Sequence, residues 1–258
     1  MNQVNKTLYI PLYGKAYVHK KGILLSDPDA ERIWDAAGIP LKGKSASKWL
    51  AYNMGMRSAV FDNWLREKLT EDAVVLHLGC GLDSRCNRVQ CPNPWYDVDF
   101  PAVIEERKKY FAESGSYHMI GADLRDHWLT QVRERGAAIV IMEGVSMYLT
   151  GEERLELLKA LTDNFDRVSL LVDAYTVFAA KATKYKNPIN DVGVTQVYGF
   201  DDPRELEAGT DLIYVREHDM TPETMIRSLS AWEQILFRKL FAGKTARKFY
   251  RLYEYMSR

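Results

Sequence analysis

Two glycines and an acid follow short apolar runs in the first half of the chain, and their types and spacing suit a nucleoside-containing ligand. Gly79 and Gly81 come directly after the run 73–78, and glycines there let the backbone approach a ligand closely because no Cβ intervenes. Asp99 ends the next run, 20 residues after Gly79, where an acid can accept hydrogen bonds from a ribose diol. The structural alternatives are a tight turn at the glycines and a helix cap supplied by Asp97 or Asp99. Taken together, the two run ends favour binding of a nucleoside-containing cofactor over a purely structural role.

The residues that follow the glycines bear on which cofactor would bind. A dinucleotide needs its pyrophosphate held at the start of a helix, and Ser84 stands where the third glycine of that fingerprint would fall. Asp83 adds a carboxylate where the phosphate charges would lie, and like charges in a poorly solvated turn repel. S-adenosylmethionine has no phosphate, and its sulfonium and amino groups are cationic, so it suits this turn better. A nicotinamide-dependent oxidoreductase and a non-catalytic nucleoside-binding protein are the alternatives.

Further charged residues stand at the ends of later runs or among apolar neighbours. Asp123 follows the third run, and Glu143 closes the fourth. A carboxylate at a buried edge needs a partner. For Glu143 that partner is either a cationic group of a ligand or, equally, an arginine or a backbone amide of the protein. Arg57 has aromatic and methionine neighbours, so it too needs a partner, which is a carboxylate of the protein or of a ligand.

The elements that would position these residues alternate between apolar runs and helical periodicity. This alternation predicts right-handed crossovers and a doubly wound α/β fold with a mostly parallel sheet, which binds its ligand at the carboxyl ends of the strands. We predict strands over 73–78, 95–99, 117–120, 137–142, 168–173 and 212–216. We predict helices over 29–36, 45–69, 102–111, 151–165 and 222–241, and residues 246–256 fit either a helix or a strand. The first 70 residues carry no strand series and predict a helical cap.

Composition excludes several classes of protein. Lys and Arg together number 35, as do Asp and Glu, so nothing favours binding to nucleic acid or to an anionic membrane surface. No window is apolar enough to span a bilayer, no signal peptide is evident, and 3 cysteines suit a reducing cytoplasm. Cys80, Cys86 and Cys91 are too widely spaced for a zinc hook, so we expect no metal. We expect His77 to be a core residue, and the basic cluster to be a solvated helix face. That cluster comprises Lys244, Arg247, Lys248 and Arg251.

Four separated motifs resemble the leucine carboxyl methyltransferase family, in particular its bacterial branch, which includes polyketide O-methyltransferases. The motifs span residues 74–85, 96–104, 143–149 and 7–16, and Asp27-Pro28 adds to the last of them. The resemblance implies a seven-stranded, mostly parallel Rossmann-like methyltransferase core over 71–258 with an N-terminal helical cap over 1–70. It also implies transfer of a methyl group from S-adenosylmethionine to a carboxylate or hydroxyl oxygen of a small molecule, without nucleic acid or membrane as a partner.

The resemblance assigns residues to the methionine end of the cofactor. Lys15 and Arg57 match residues that pair with the cofactor carboxylate. Gly79 would lie against the methionine part, in the loop that also contains Gly81, and Glu143 would face the methionine and ribose region. The family often has Ala or Thr where this chain has Cys80 and Ser84, and the chain is shorter than many relatives, which leaves the substrate more open than the cofactor.

The resemblance also assigns the rest of the cofactor and the reacting end. Asp99 would hold the ribose, and Asp123 and Leu124 would flank the adenine. Tyr148 would lie near the transferred methyl group. A carboxylate acceptor needs no general base, whereas a phenol would be helped by one, and Tyr148 and His118 are the candidates.

Overall fold

Seven strands form one mixed sheet in the structure, a computed structural model that describes residues 8–182 and 196–257. The strands are β1 (Ala73–Leu78), β2 (Trp95–Asp99), β3 (Tyr117–Gly121), β4 (Ala137–Met142), β5 (Arg167–Tyr175), β6 (Leu212–Glu217) and β7 (Tyr250–Ser257). Their order is β3-β2-β1-β4-β5-β7-β6. The strands β1 to β5 are parallel to one another, and β7 runs antiparallel between β5 and β6.

The order of the strands reverses between β1 and β4, and this creates the crevice in which a doubly wound sheet binds its ligand. Every residue of β1 and β4 is buried, as expected for strands covered on both faces. Alternate β1 residues feed two separate apolar clusters, Val74 and Leu76 on one face and Ala73 and Val75 on the other. The predicted doubly wound α/β fold is confirmed.

Ten α-helices accompany the sheet in the described part of the chain. They are α1 (Tyr9–Lys20), α2 (Pro28–Ala37), α3 (Lys48–Lys68), α4 (Arg85–Val89), α5 (Pro101–Arg107), α6 (Gly151–Asn164), α7 (Val177–Ala182), α8 (Glu223–Ile226), α9 (Ala231–Leu240) and α10 (Gly243–Arg247). None of the helices in these ranges has the length and apolar character needed to cross a membrane.

The N-terminal helices are anchored to the sheet through α3. Phe61, Trp64 and Leu65 of α3 pack in the same apolar cluster as β1 and β4, and α1 packs against α3. Asp27 caps α2 by accepting a hydrogen bond from the Ala30 amide at 2.9 Å. Residues 1–7 of the predicted cap lie outside the described residues, and the division of the chain at residue 70 stays a prediction.

The last third of the chain differs from the sequence prediction in two places. The helix predicted over 222–241 is two helices, because Ser230 and Glu233 form a capping box that starts α9 after a break. Residues 246–256 are neither wholly helix nor wholly strand, since α10 ends at Arg247 and β7 begins at Tyr250. The basic cluster is therefore not one helix face: Arg247 on α10 and Arg251 on β7 both bind Glu217.

Candidate functional site

All nine residues assigned from the sequence line one cavity of about 910 Å³ at the carboxyl ends of the parallel strands. They are Lys15, Arg57, Gly79, Gly81, Asp99, Asp123, Leu124, Glu143 and Tyr148. The helices α1 and α3 close one side of the cavity, and residues from α9 to β7 close another. The fold therefore brings together groups that are up to 133 positions apart in the chain.

The loop after β1 has the backbone that its glycines predict. Gly79 and Gly81 have φ angles of +65° and +52°, in the left-handed region that favours glycine. A Cβ at Gly79 would lie 2.1 Å from Cγ2 of Val145, so any side chain at this position would clash with Val145. The amide of Gly81 donates to Asp99 Oδ2 at 2.8 Å, which ties the loop to the end of β2.

Asp97 and Asp99 lie on the same face of β2 and have different surroundings. Asp97 is fully buried among Arg107, Tyr117, Trp95 and His77. Burial alone would raise its pKa, yet the charge of Arg107 and the hydrogen bonds hold the pKa of Asp97 at about 2. Asp97 is thus a structural acid, and it caps no helix. His77 is buried as expected, although it also reaches the cavity wall.

Asp99 is the acid of β2 that faces the cavity. It accepts from the amides of Gly81 and Phe100, while Phe100, not Asp99, is the N-cap of α5. Burial raises the pKa of Asp99 above its usual range despite these two hydrogen bonds. Its carboxylate has more acceptor positions than these two bonds occupy, so it can also receive a diol.

Arg57 and Glu143 both line the cavity and bind each other. Arg57 donates from Nε to Glu143 at 3.0 Å, and from Nη1 to Asp173 at 2.9 Å and to the Tyr250 hydroxyl at 3.2 Å. Glu143 also accepts from Ser58 and Arg85. The partner of Glu143 that the sequence left open is therefore arginine. The contacts described for Arg57 use Nε and Nη1, and its Nη2 lies beside Gly144 of the cavity wall.

Asp83 is more fully neutralised than the sequence suggested. Lys15 reaches it at 3.2 Å, Arg88 at 3.0 Å and Arg85 at 3.4 Å. Although burial opposes ionisation, these three cations hold the pKa of Asp83 well below its usual range. From the sequence, the charge of Asp83 is expected to repel a phosphate at this turn. That reason is wrong, because three cations of the protein already neutralise the carboxylate.

The opposite end of the cavity holds Asp123 and Leu124. Arg125 binds Asp123 through Nε at 2.8 Å and through its own backbone amide at 3.0 Å. These hydrogen bonds, with a smaller opposing effect of burial, lower the pKa of Asp123. Phe100 and Val103 line the same end, which gives it an apolar surface with one ionised carboxylate at its rim.

The third part of the cavity is aromatic and apolar. Tyr148 lies in the single-turn helix Ser146–Tyr148, and the rings of Tyr175 and Tyr250 meet edge to face with centroids 4.7 Å apart. Burial raises the pKa of both Tyr175 and Tyr250. The apolar lining includes Leu50, Met54, Met147, Met220, Phe241 and Phe249. His118 of β3, the other candidate base, is not among the residues that line this cavity, and its ring meets the ring of Tyr96 of β2 at an angle of 31°.

Sequence reasoning missed two residues that bind Arg57, namely Tyr250, which lines the cavity, and Asp173, which is not among the lining residues. Asp173 is buried near the end of β5, and it could have been found by the rule that located Glu143, since it closes the fifth apolar run. Tyr250 begins β7, where the sequence left the element open, so no signal pointed to it.

Comparison with known proteins agrees with this geometry. The family model for leucine carboxyl methyltransferase matches residues 14–162. The tetracenomycin polyketide synthesis O-methyltransferase of Streptomyces glaucescens is 36% identical over 157 residues, which cover 59% of this chain and 58% of that relative. An S-adenosyl-L-methionine-dependent methyltransferase of Gibberella zeae is 28% identical over 193 residues, which cover 67% and 65%. The chain therefore matches less than two thirds of either relative's length.

Solved structures share the fold at low sequence identity. A SAM-dependent methyltransferase of Anabaena variabilis aligns with a TM-score of 0.54 and 12% identity, covering 80% of this chain and 86% of that one. Magnesium protoporphyrin IX methyltransferase of Synechocystis PCC 6803, solved with bound SAH, aligns with a TM-score of 0.53 and 14% identity, covering 95% and 97%. Because the family model spans more than half of the sequence, the chain belongs to the leucine carboxyl methyltransferase family.

Proposed function

We propose that this chain is an S-adenosylmethionine-dependent O-methyltransferase that acts on a small molecule. The observation that carries the proposal is one cavity at the reversal of strand order, with an acid for a ribose at Asp99 and a guanidinium at Arg57. The residues present fit this cofactor, because the carboxylate of Asp99 has more acceptor positions than its two hydrogen bonds occupy and Arg57 Nη2 lies beside Gly144 of the cavity wall.

Each end of the cavity has a separate task in this proposal. Asp99 would hold the ribose, and Asp123 and Leu124 would flank the adenine. Lys15 and the Nη2 of Arg57 would bind the cofactor carboxylate. When bound, S-adenosylmethionine supplies a methyl carbon made electrophilic by its sulfonium. The protein positions the acceptor oxygen close to that carbon and excludes water from the cavity.

The aromatic part of the cavity favours an acceptor oxygen that is already ionised. Since burial raises the pKa of Tyr175 and Tyr250, both hydroxyls stay protonated near neutral pH and cannot remove a proton from the acceptor. They can instead donate hydrogen bonds, and Tyr148 lies with them at the cavity wall. A carboxylate fits these conditions directly, and a hydroxyl fits when it is acidic. The relative from Streptomyces glaucescens supports a polyketide-like acceptor.

We also propose the surroundings in which the chain works. The equal numbers of acidic and basic residues support a small-molecule partner over nucleic acid or a membrane surface. A reducing compartment such as the cytoplasm would keep Cys80, Cys86 and Cys91 as thiols.

Ligand binding and turnover together test the proposed function. We expect calorimetry to show binding of S-adenosylmethionine and S-adenosylhomocysteine but not of NAD, and labelled methyl groups to reach a member of a panel of aromatic carboxylic acids and phenols. Binding of NAD alone would replace the proposal with the oxidoreductase alternative. Binding of both sulfur ligands without transfer to any panel member would favour a non-catalytic binding protein.

The ribose assignment predicts that Asp99→Ala weakens binding of adenosine and of S-adenosylhomocysteine alike. We expect a loss of about 1.5–3 kcal/mol for each ligand, the scale of hydrogen bonds to a charged group. Calorimetry on both ligands measures the loss, with thermal unfolding of the ligand-free variant as a check on folding. Glu105→Ala, an exposed acid of the neighbouring helix α5, is the control. Unchanged dissociation constants in Asp99→Ala would remove Asp99 from the site.

A further inference from the structure

Nine buried charged groups form one contact network around the methionine end of the cavity. Four of them are cations, namely Lys15, Arg57, Arg85 and Arg88. Five are carboxylates, namely Asp27, Asp62, Asp83, Glu143 and Asp173. The described network therefore has one carboxylate more than it has cations, in a protein with equal numbers of acidic and basic residues overall.

The adjoining groups do not supply the missing positive charge. His77 accepts a hydrogen bond from Arg85 Nη1 at 3.3 Å, which requires the neutral form of its ring. Asp97, on the other side of that ring, is matched by Arg107. The excess carboxylate thus belongs to the buried network, which reaches the cavity through Lys15, Arg57, Asp83 and Glu143.

The excess falls on Asp173 rather than on Glu143. Glu143 accepts from two arginines, Arg57 and Arg85, and from Ser58. Asp173 accepts from the Gly144 amide at 2.8 Å and from Nη1 of Arg57, the same atom that also donates to Tyr250. Asp173 therefore shares one guanidinium with Glu143 and has no cation of its own among the described residues.

The pKa values of Glu143 and Asp173 differ because Glu143 has two arginine partners and Asp173 shares one of them. Burial would raise the pKa of Glu143, but Arg85 and Arg57 hold it at about 2. Burial raises the pKa of Asp173 to about 6, because Arg57 and the Gly144 amide offset only part of the desolvation and Glu143 adds repulsion. The other groups that face Asp173 are the hydroxyls of Tyr175 and Tyr250, which stay protonated and neutral.

We propose that Asp173 is the positioning residue that supplies the counter-charge for the sulfonium of the cofactor, acting through Arg57 and Gly144 across the buried network. A cationic ligand in the cavity balances the fifth carboxylate, whereas a neutral thioether does not. Asp173 therefore makes the site prefer S-adenosylmethionine over S-adenosylhomocysteine, and it favours release of the spent cofactor. This inference rests on the proposed function.

The sign of the pH dependence follows from the raised pKa of Asp173. Above about pH 6 Asp173 is ionised and favours binding of the sulfonium. Below that pH a bound proton neutralises Asp173, and this advantage is lost. The ratio of the affinities for S-adenosylmethionine and S-adenosylhomocysteine should therefore fall as the pH falls. Asp99 also has a raised pKa, and Asp173→Asn separates the two acids, because a pH dependence that came from Asp99 would remain in that variant.

Calorimetry with both ligands at about pH 7 and about pH 5 tests the inference, because the ligands keep the charges of their amino and carboxylate groups over this range. We expect the affinity ratio of the unmodified protein to fall about tenfold between these values, as one displaced proton with a pKa near 6 requires. Asp173→Asn should show the lower ratio at both pH values.

Glu254→Gln is the matched control. Glu254 is a buried carboxylate of the neighbouring strand β7, but Lys68, Arg216 and His218 bind it away from the cavity. The Glu254→Gln variant should show the same ratio of affinities for S-adenosylmethionine and S-adenosylhomocysteine, and the same pH dependence of that ratio, as the unmodified protein. A ratio that stays constant with pH in the unmodified protein overturns the inference even if Asp173→Asn does not fold. Tight binding of both ligands would then leave the proposed function standing, whereas absence of binding would overturn both.

Discussion

Replacement of Arg57 by alanine is expected to lower the free energy of unfolding by about 3–5 kcal/mol, the cost of removing one partner from a buried ion pair. Arg57 is buried and binds Glu143 and Asp173 at once, so its loss leaves Asp173 without a cation among the described residues. The same variant should bind S-adenosylmethionine far more weakly than the unmodified protein, while adenosine, which lacks the carboxylate, should lose much less. Urea unfolding and titration of the two ligands measure these effects.

Arg57→Lys separates the charge of Arg57 from its geometry. Lysine keeps the positive charge but cannot reach Glu143, Asp173 and a ligand carboxylate from one planar fork. We expect it to recover part of the unfolding free energy and little of the preference for S-adenosylmethionine over adenosine. Equal losses for the two ligands in Arg57→Ala would mean that Arg57 acts through folding, and the carboxylate-clamp assignment would have to be dropped.

The parallel half of the sheet was predictable because its strands are short apolar runs with clear ends. The runs 73–78 and 137–142 match β1 and β4 residue for residue, since both strands are buried on both faces. The C-terminal strand β7 was not predictable in the same way. It places Glu254 at a buried position between tyrosines, and the side chains that bind this acid come from α3, β6 and the segment after β6. No local pattern reveals such partners.

The break between α8 and α9 was readable but was overlooked. Ser230 and Glu233 have the spacing of a capping box, in which each side chain satisfies a backbone amide of the first turn. The apolar periodicity of 222–241 continues across this break, so periodicity alone merged two helices. The local cap was the better signal because it reports where a helix starts.

The cavity residues were found from strand ends, but their pairings were not. Arg57 and Glu143 are separated by 86 positions, and which cation meets which acid depends on how α3 packs over β1 and β4. The different roles of Asp97 and Asp99 were also hidden. Both lie on one face of β2, and only the tertiary structure shows that Arg107 and Tyr117 enclose the first while the second reaches the cavity.

Gly79→Ala is expected to destabilise the protein and to weaken binding of S-adenosylhomocysteine. An L-residue at the φ of +65° observed for Gly79 costs about 1–2 kcal/mol. The added Cβ would also lie 2.1 Å from Cγ2 of Val145, a buried and branched side chain, and such overpacking costs about 1–3 kcal/mol. Because Val145 lines the cavity, its displacement should narrow the space for the ligand. Urea unfolding and calorimetry measure the two effects.

Gly81→Ala and a second-site change separate backbone strain from the contact. Gly81 has a φ of +52°, but its Cβ would meet Cβ of Leu8 at 3.6 Å, an ordinary contact, so Gly81→Ala should show the backbone cost alone. Val145→Ala in the Gly79→Ala background should restore binding of S-adenosylhomocysteine, because it removes the obstructing methyl group and leaves the backbone strain in place. Equal losses of stability in Gly79→Ala and Gly81→Ala, with no recovery in the double variant, would show that backbone strain and not the approach of Val145 requires glycine at position 79.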